Sequence, residues 1–64
     1  MFEIPLYQVK AGDSVLMGVD MVNGPRSIMG LVVNVGKEYI RIKEFLYTNH
    51  FEKKNILKVY KLRG

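Results

Sequence analysis

The 64-residue chain contains no cysteine and only one histidine, His50. Without cysteine, no disulfide can stabilise the fold. A single histidine also cannot supply the nitrogen and sulfur ligands of an ordinary zinc site. We therefore predict a protein without a metal site.

Long hydrophobic runs are also lacking. The longest, residues 28–33, is interrupted by Gly30 and falls far short of the ~20 residues of a membrane helix. The first residues, which include Glu3 and Pro5, lack the basic and apolar regions of a secretory signal. We expect a soluble cytoplasmic protein that does not associate with membranes.

Catalytic groupings are missing as well. The six carboxylates show no paired spacing beside a nucleophile, and His50 has no partner to orient it as a general base. Ser14 and Ser27 have no neighbouring base, and the glycines form no phosphate-binding loop. We predict a non-enzymatic protein with no catalytic residues and no cofactor. Asp13 is expected to act as a turn residue.

What the sequence does contain is an ordinary globular composition with an uneven charge. Hydrophobic residues make up 48% of the chain and charged residues 25%, and its length limits it to one domain, residues 1–64. Residues 1–32 carry two basic and three acidic side chains, a net charge of −1; residues 33–64 carry eight basic and three acidic, a net charge of +5. The basic half can attract a polyanion, or can simply keep the protein soluble.

Alternation of apolar and polar residues predicts β-strands in the first half. Residues 1–9 are expected to form an edge strand or lead-in, because Pro5 cannot sit inside a central strand. Val15, Met17, Val19 and Met21 are expected to face inward, and Asn23–Ser27 to form a loop longer than a tight hairpin.

The second half contains the strand expected to be most buried, Ile28–Val35, with Gly30 marking a bulge or a close backbone approach. A hairpin at Gly36-Lys37 leads into residues 38–45, and residues 46–50 are expected to form a loop. One helical or 3₁₀ turn is predicted within residues 51–55, followed by the last strand, residues 56–62. In that strand we expect Leu57 and Val59 to face inward.

This pattern predicts an all-β protein, a small five-stranded barrel with one short helical turn before the last strand. Closing a short sheet on itself satisfies strand edges that a small chain cannot otherwise cover.

Four segments carry a family resemblance, which covers residues 10–62. They are Gly12-Asp13-Ser14-Val15, Gly24-Pro25, Gly30-Leu31-Val32-Val33-Asn34-Val35 and Ile40-Arg41-Ile42. Together they resemble the KOW motif of SH3-like barrels, such as the C-terminal domain of the elongation factor NusG and some ribosomal proteins. The resemblance implies an SH3-like barrel. The sequence departs from that family at Leu46-Tyr47-Thr48-Asn49, which replaces a glycine-rich tip used for partner binding in the relatives.

A basic and aromatic surface is the main candidate site. Tyr39, Arg41 and Lys43 are expected to share the outward face of one strand, with Lys58 and Tyr60 of the last strand beside them and Arg26 at a loop tip. Such residues can stack on bases and neutralise phosphates. We therefore predict a binding module for RNA, DNA or a ribonucleoprotein. The opposing interpretation is a solvated face with ordinary cross-strand pairs.

A protein-binding adaptor is the alternative function. Exposed aromatics at Phe2, Tyr7, Tyr47 and Tyr60 can present a hydrophobic strip with a charged rim to a protein partner. An accessory protein of phage or plasmid type, docking on a host protein complex, would have this character. The sequence leaves the oligomeric state open.

Overall fold

The alternating segments fold as an antiparallel sheet, so the all-β class predicted from the sequence is confirmed. The computed structural model describes residues 1–62. Residues 63–64, which the predicted domain of 1–64 includes, lie outside the described residues. The strands are β1 (Phe2–Ile4), β2 (Ser14–Met21), β3 (Gly24–Val35), β4 (Tyr39–Lys43), β5 (Thr48–Glu52) and β6 (Ile56–Lys61).

The six strands form one sheet in the order β1-β6-β2-β3-β4-β5. Consecutive strands from β2 to β5 are neighbours, whereas β6 returns to lie between β1 and β2. Within residues 1–62 no ladder joins β1 to β5, so hydrogen bonding does not close the sheet. The predicted closed barrel of five strands is therefore corrected to a six-stranded sheet with two edges.

Strand β5 is the element that the sequence pattern missed, because residues 46–50 were expected to form a loop. Its polar residues Thr48, Asn49 and His50 show no apolar alternation, and Phe51 is its only buried side chain. The strand is defined by its backbone ladder to β4, which a hydrophobic pattern does not report.

The core lies on the inner face of the sheet, where every strand contributes a side chain. The alternation predicted for β2 is confirmed, with Met21 half-buried at its end, and so is the inward placement of Ile40 and Ile42. Burying one such side chain fully contributes about 1.5–3 kcal/mol. The buried residues are Ile4, Val9, Val15, Met17, Val19, Ile28, Val32, Ile40, Ile42, Phe51 and Val59.

Strand β3 is buried on one face only, which corrects the expectation of burial on both. Ile28 and Val32 are 2% and 1% exposed, whereas Met29 and Leu31 are 60% and 40% exposed. The reason is that the sheet folds around a single core, and no described element packs over its outer face.

Gly30 is a point of close approach, as predicted. A Cβ atom at this position would lie 2.5 Å from the carbonyl oxygen of Lys43 and 2.7 Å from Cγ2 of Ile42. The β3–β4 ladder shifts register nearby, between Val32 and Asn34. Only glycine leaves room for the end of β4 to approach β3 this closely.

The β2–β3 connection is a tight turn, which corrects the longer loop expected at Asn23–Ser27. Met21 pairs with Gly24, so only Val22 and Asn23 lie between the strands. Gly24 takes a φ of +110°, a left-handed conformation suited to glycine. Pro25 is accommodated inside β3.

Asp13 acts as the predicted turn residue. Its Oδ2 accepts a hydrogen bond of 2.9 Å from the backbone N–H of Lys10. The same carboxylate lies 3.5 Å from Nζ of Lys61, so the turn before β2 is tied to the end of β6.

The helical elements of the described chain are two short 3₁₀ turns, Leu6–Gln8 and Lys53–Asn55. The second confirms the predicted turn before the last strand. No helix among residues 1–62 is long and apolar enough to cross a membrane.

Leu57 is exposed, whereas the sequence predicts that it faces inward. The β2–β6 ladder shifts register between Gly18 and Val19, so that Ile56 and not Leu57 lies opposite Val19. Ile56 therefore packs against the core and Leu57 is displaced outward. The inward placement of Val59 is confirmed.

Candidate binding surfaces

Strand β4 presents Tyr39, Arg41 and Lys43 on its outer face, as predicted. The alternate residues Ile40 and Ile42 are fully buried, which fixes the orientation of the strand. Arg41 and Lys43 are exposed, and Tyr39 is half-buried. Within this strand, the sequence therefore places the basic and aromatic side chains correctly.

Strand β5 adds His50 to this face. His50 lies opposite Arg41 in the β4–β5 ladder, and Lys43 lies opposite Thr48. The rings of Tyr39 and His50 meet edge to face, with centroids 5.3 Å apart and planes at 74°. We call Tyr39, Arg41, Lys43 and His50 the β4–β5 surface.

From the sequence, His50 was considered only as a catalytic or metal-binding residue, and its position on this face was not predicted. The usable signal is its position directly before Phe51, because side chains alternate along a strand. If Phe51 faces the core, His50 faces outward.

Lys58 and Tyr60 do not lie beside the β4 residues, so the expected adjacency of the two groups is wrong. Strands β2 and β3 separate β6 from β4. Three strand spacings correspond to about 14 Å along the sheet. The reason is that β6 pairs with β1 and β2, a long-range choice that local spacing does not encode.

Apolar side chains fill the space between the two groups. Leu16 lies opposite both Tyr60 and Met29 in its two ladders. Leu31 lies opposite Lys43. We call Leu16, Met29 and Leu31 the apolar strip. It was not predicted from the sequence, because β3 was expected to be buried on both faces.

Arg26 lies within β3 and not at a loop tip. Its partner in the β2–β3 ladder is Val19, and it lines an open groove of about 570 Å³ between the β2–β3 hairpin and β5. The structure therefore places Arg26 with Asp20 and Glu44 in this groove, away from Arg41 and Lys43.

The β4–β5 surface has acidic as well as basic neighbours, since Glu38 and Glu52 line a cleft together with Tyr39, Arg41 and His50. The backbone N–H of Lys53 donates a 2.8 Å hydrogen bond to the carbonyl of Glu38, which brings the second 3₁₀ turn beside the β3–β4 turn. Residues 37–54 contain five basic and three acidic side chains, a net charge of +2. One acid, Glu52, pairs with Lys54 at 3.3 Å, and exposed pairs of this kind contribute little to stability.

The aromatics expected in a protein-binding strip lie in separate elements. Phe2 is in β1, Tyr7 in the first 3₁₀ turn, Tyr47 just before β5, and Tyr60 in β6. Phe2, Tyr7 and Tyr47 are exposed, whereas Tyr60 is half-buried. These aromatics therefore do not form one strip. The side chains of the apolar strip, in contrast, lie together on the outer face.

Among residues 1–62 no group of three or more histidine, cysteine or acidic side chains is arranged to hold a metal ion. The chain matches no protein-family model, and no curated protein or solved structure matches it at a significant level.

Proposed function

We propose that the chain is a non-enzymatic, cytoplasmic binding module that binds single-stranded RNA or DNA, or a ribonucleoprotein, through the β4–β5 surface. In this proposal Arg41 and Lys43 neutralise phosphates. Tyr39 and His50 stack on bases, because every base has a π-face that an aromatic ring can cover.

The KOW-type SH3-like fold is part of the same proposal. It is supported by the order of the strands β6-β2-β3-β4-β5 and by the 3₁₀ turn between β5 and β6. The close approach of β4 at Gly30 also supports it, because glycines of this kind allow a short sheet to coil strongly.

The observation that carries the proposed function is the presence of two exposed cations, one exposed ring and one half-buried ring on one continuous face. Arg41 and Lys43 alternate with buried isoleucines, so their Cα atoms are about 7 Å apart on the same side. The Tyr39 and His50 rings lie next to Arg41. Lys58 and Tyr60 would contribute only to a longer strand of nucleic acid that crosses β2 and β3.

Fluorescence anisotropy with a labelled oligouridine of about 12 nucleotides tests this proposal. Two phosphate contacts on a single strand predict that log K falls with log salt at a slope of about −1.4. Arg41→Glu combined with Lys43→Glu should weaken binding at low salt at least about tenfold and abolish that slope. The far-ultraviolet spectrum and the melting temperature should remain those of the parent chain.

The matched control is Lys10→Glu combined with Arg26→Glu, which reverses one lysine and one arginine, both exposed and outside the β4–β5 surface, and so makes the same change in net charge. It should retain most of the affinity. Equal losses in both double variants would mean that net charge alone drives binding, and would contradict a specific β4–β5 surface.

A protein adaptor is the second candidate, and the apolar strip is the observation that favours it. Leu16, Met29 and Leu31 form apolar surface between Lys43 on one side and Tyr60 on the other. If the oligonucleotide does not bind at micromolar protein, a pull-down with and without nuclease distinguishes the two functions. Recovery of one protein despite nuclease would favour an adaptor that docks on a host protein complex.

A further inference from the structure

The groove that Arg26 lines is large enough to hold a bound ligand. It runs between the β2–β3 hairpin and β5 and has a volume of about 570 Å³, within the range of ligand-binding clefts. Val19, Ile28 and Phe51 contribute buried apolar side chains to it. We call it the β5 groove.

The β5 groove follows the edge of a strand. Residues 49–52 line it consecutively, although successive side chains of a strand point to opposite faces. A groove that contacts both faces of β5 must pass along its edge. In the described part of the chain, β5 pairs with β4 alone, so this edge is available to a further strand.

The hydrogen-bond pattern identifies which backbone groups point into the groove. The N–H of Glu44 donates to Tyr47, at 2.7 Å, and the N–H of Lys53 donates to Glu38, at 2.8 Å. These two pairs flank the β4–β5 ladder.

Hydrogen-bonded and non-hydrogen-bonded pairs alternate along an antiparallel ladder. Counting inward from the two flanking pairs, Asn49 and Phe51 direct their backbone groups to β4. Thr48, His50 and Glu52 direct theirs away from β4, toward the free edge of β5, and of these three His50 and Glu52 line the groove.

The charge of the β5 groove is opposite to that of the chain. Among residues 1–62, Asp20, Glu44 and Glu52 line it against a single cation, Arg26, whereas the net charge of the chain is +4. Among residues 1–62 neither Asp20 nor Glu44 forms an ion pair. Glu44 accepts a hydrogen bond of 3.0 Å from the side chain of Asn49, which fixes this carboxylate beside the strand edge.

We propose that the β5 groove binds an extended, cationic peptide segment of a partner protein, which adds to the sheet as a seventh strand on the edge of β5. The peptide backbone pairs with Thr48, His50 and Glu52. One apolar side chain packs against Ile28 and Phe51, and the adjacent lysine or arginine, on the opposite face of the peptide, lies near Asp20 and Glu52. Strand addition of this kind derives affinity from main-chain hydrogen bonds and specificity from alternate side chains.

The β5 groove shares His50 with the β4–β5 surface, but its acidic side chains would repel a polyanion, so this inference is tested separately from the nucleic-acid proposal. The two can therefore fail separately. Loss of oligonucleotide binding in the Arg41 and Lys43 double variant has no bearing on the groove, since neither residue lines it.

The first test compares labelled peptides of about six residues, titrated with the full chain and followed by fluorescence anisotropy. A peptide of alternating valine and lysine should bind. Its counterpart of alternating valine and glutamate should bind at least about tenfold more weakly. A valine–lysine peptide with N-methyl groups on its pairing edge should lose binding, because it cannot donate to β5. Equal binding of the lysine and glutamate peptides, or of the methylated and unmethylated peptides, would overturn the proposal.

The second test uses Glu52→Pro with Glu52→Gln as its matched control. Glu52 has a φ of −67° and a ψ of 133°, values that proline adopts without strain. Both variants remove the charge, but only proline removes the N–H that points into the groove. We expect Glu52→Pro to bind the valine–lysine peptide at least about tenfold more weakly than Glu52→Gln, with an equal or higher melting temperature.

Equal peptide affinity in the two Glu52 variants would overturn strand addition at β5. Light scattering tests whether a second copy of the chain occupies the edge of β5. If the chain is a dimer that the peptide does not dissociate and that Glu52→Pro does dissociate, the occupant of the edge is a second copy, and the proposal of a cationic partner is wrong.

Discussion

The two faces of strand β3 carry similar apolar side chains but differ in burial. Ile28 and Val32 are buried in the core, whereas Met29 and Leu31, at alternate positions of the same strand, are exposed. All four are apolar, so hydrophobicity alone does not decide which are buried. The inner residues belong to the core that stabilises the fold, whereas the outer ones face solvent.

The outer face is itself divided. On β2 and β3 it is apolar, with Leu16, Met29 and Leu31, and on β4 it is basic and aromatic, with Arg41 and Tyr39. Since neither half contributes to the core, both can vary without affecting the fold. The inner face is sensitive to small changes, because a core this small supplies only about 3–5 kcal/mol.

The largest loss of stability is expected at a buried position of β4, whose side chains alternate between the two faces of the sheet. Ile40→Ala removes a fully buried side chain and should cost about 2–5 kcal/mol, a large part of the about 3–5 kcal/mol that a core this small supplies. Arg41→Ala, one residue away on the outer face, should change stability by less than about 0.5 kcal/mol. Urea denaturation followed by circular dichroism measures both. Similar losses in the two variants would remove the distinction between the faces.

A smaller loss of stability is expected at Gly30, where β3 and β4 approach closely. Gly30→Ala places a methyl group against the carbonyl oxygen of Lys43, a backbone atom that cannot rotate away, and should cost about 1–3 kcal/mol. Gly18→Ala is the control, because a Cβ there meets no atom within 4 Å. The melting temperatures of the two variants measure the difference. A Gly30→Ala protein as stable as Gly18→Ala would contradict the close approach of β4 to β3 at Gly30.

The smallest effect is expected on the apolar strip. Met29→Ser combined with Leu31→Ser should change the free energy of unfolding by no more than about 0.5 kcal/mol per site, because both side chains are exposed. Denaturant midpoints measure this. A loss of several kcal/mol would mean that the strip is part of the stabilising core and would erase the contrast between the faces.

The sequence predicts the local features of this fold well. Alternation alone identifies the inward residues of β2 and β4, and Gly30 is correctly recognised as a point of close approach. The failures concern pairing between distant segments. Strand β5 exists because of its ladder to β4. Leu57 is exposed because of a register shift against β2. Local composition contains neither fact.

The candidate site divides in the same way. Tyr39, Arg41 and Lys43 share a face because they alternate on one strand, which spacing predicts. Their expected contact with Lys58 and Tyr60 depends on which strands are neighbours, and β2 and β3 intervene. Strand order is a global property of the sheet, so this part was beyond the reach of local patterns.

The position of β6 between β1 and β2 also determines how the chain can assemble. Val15 pairs with Lys61, and Ile4 pairs with Val59, so the centre of the sheet joins opposite ends of the described sequence. Pairing over such separations must overcome loop-closure entropy, and topologies of this kind fold in milliseconds to seconds. The ladders from β2 to β5 join residues that are close in sequence, whereas among residues 1–62 β6 and β1 pair only with each other and with β2, so we expect β1 and β6 to pair last.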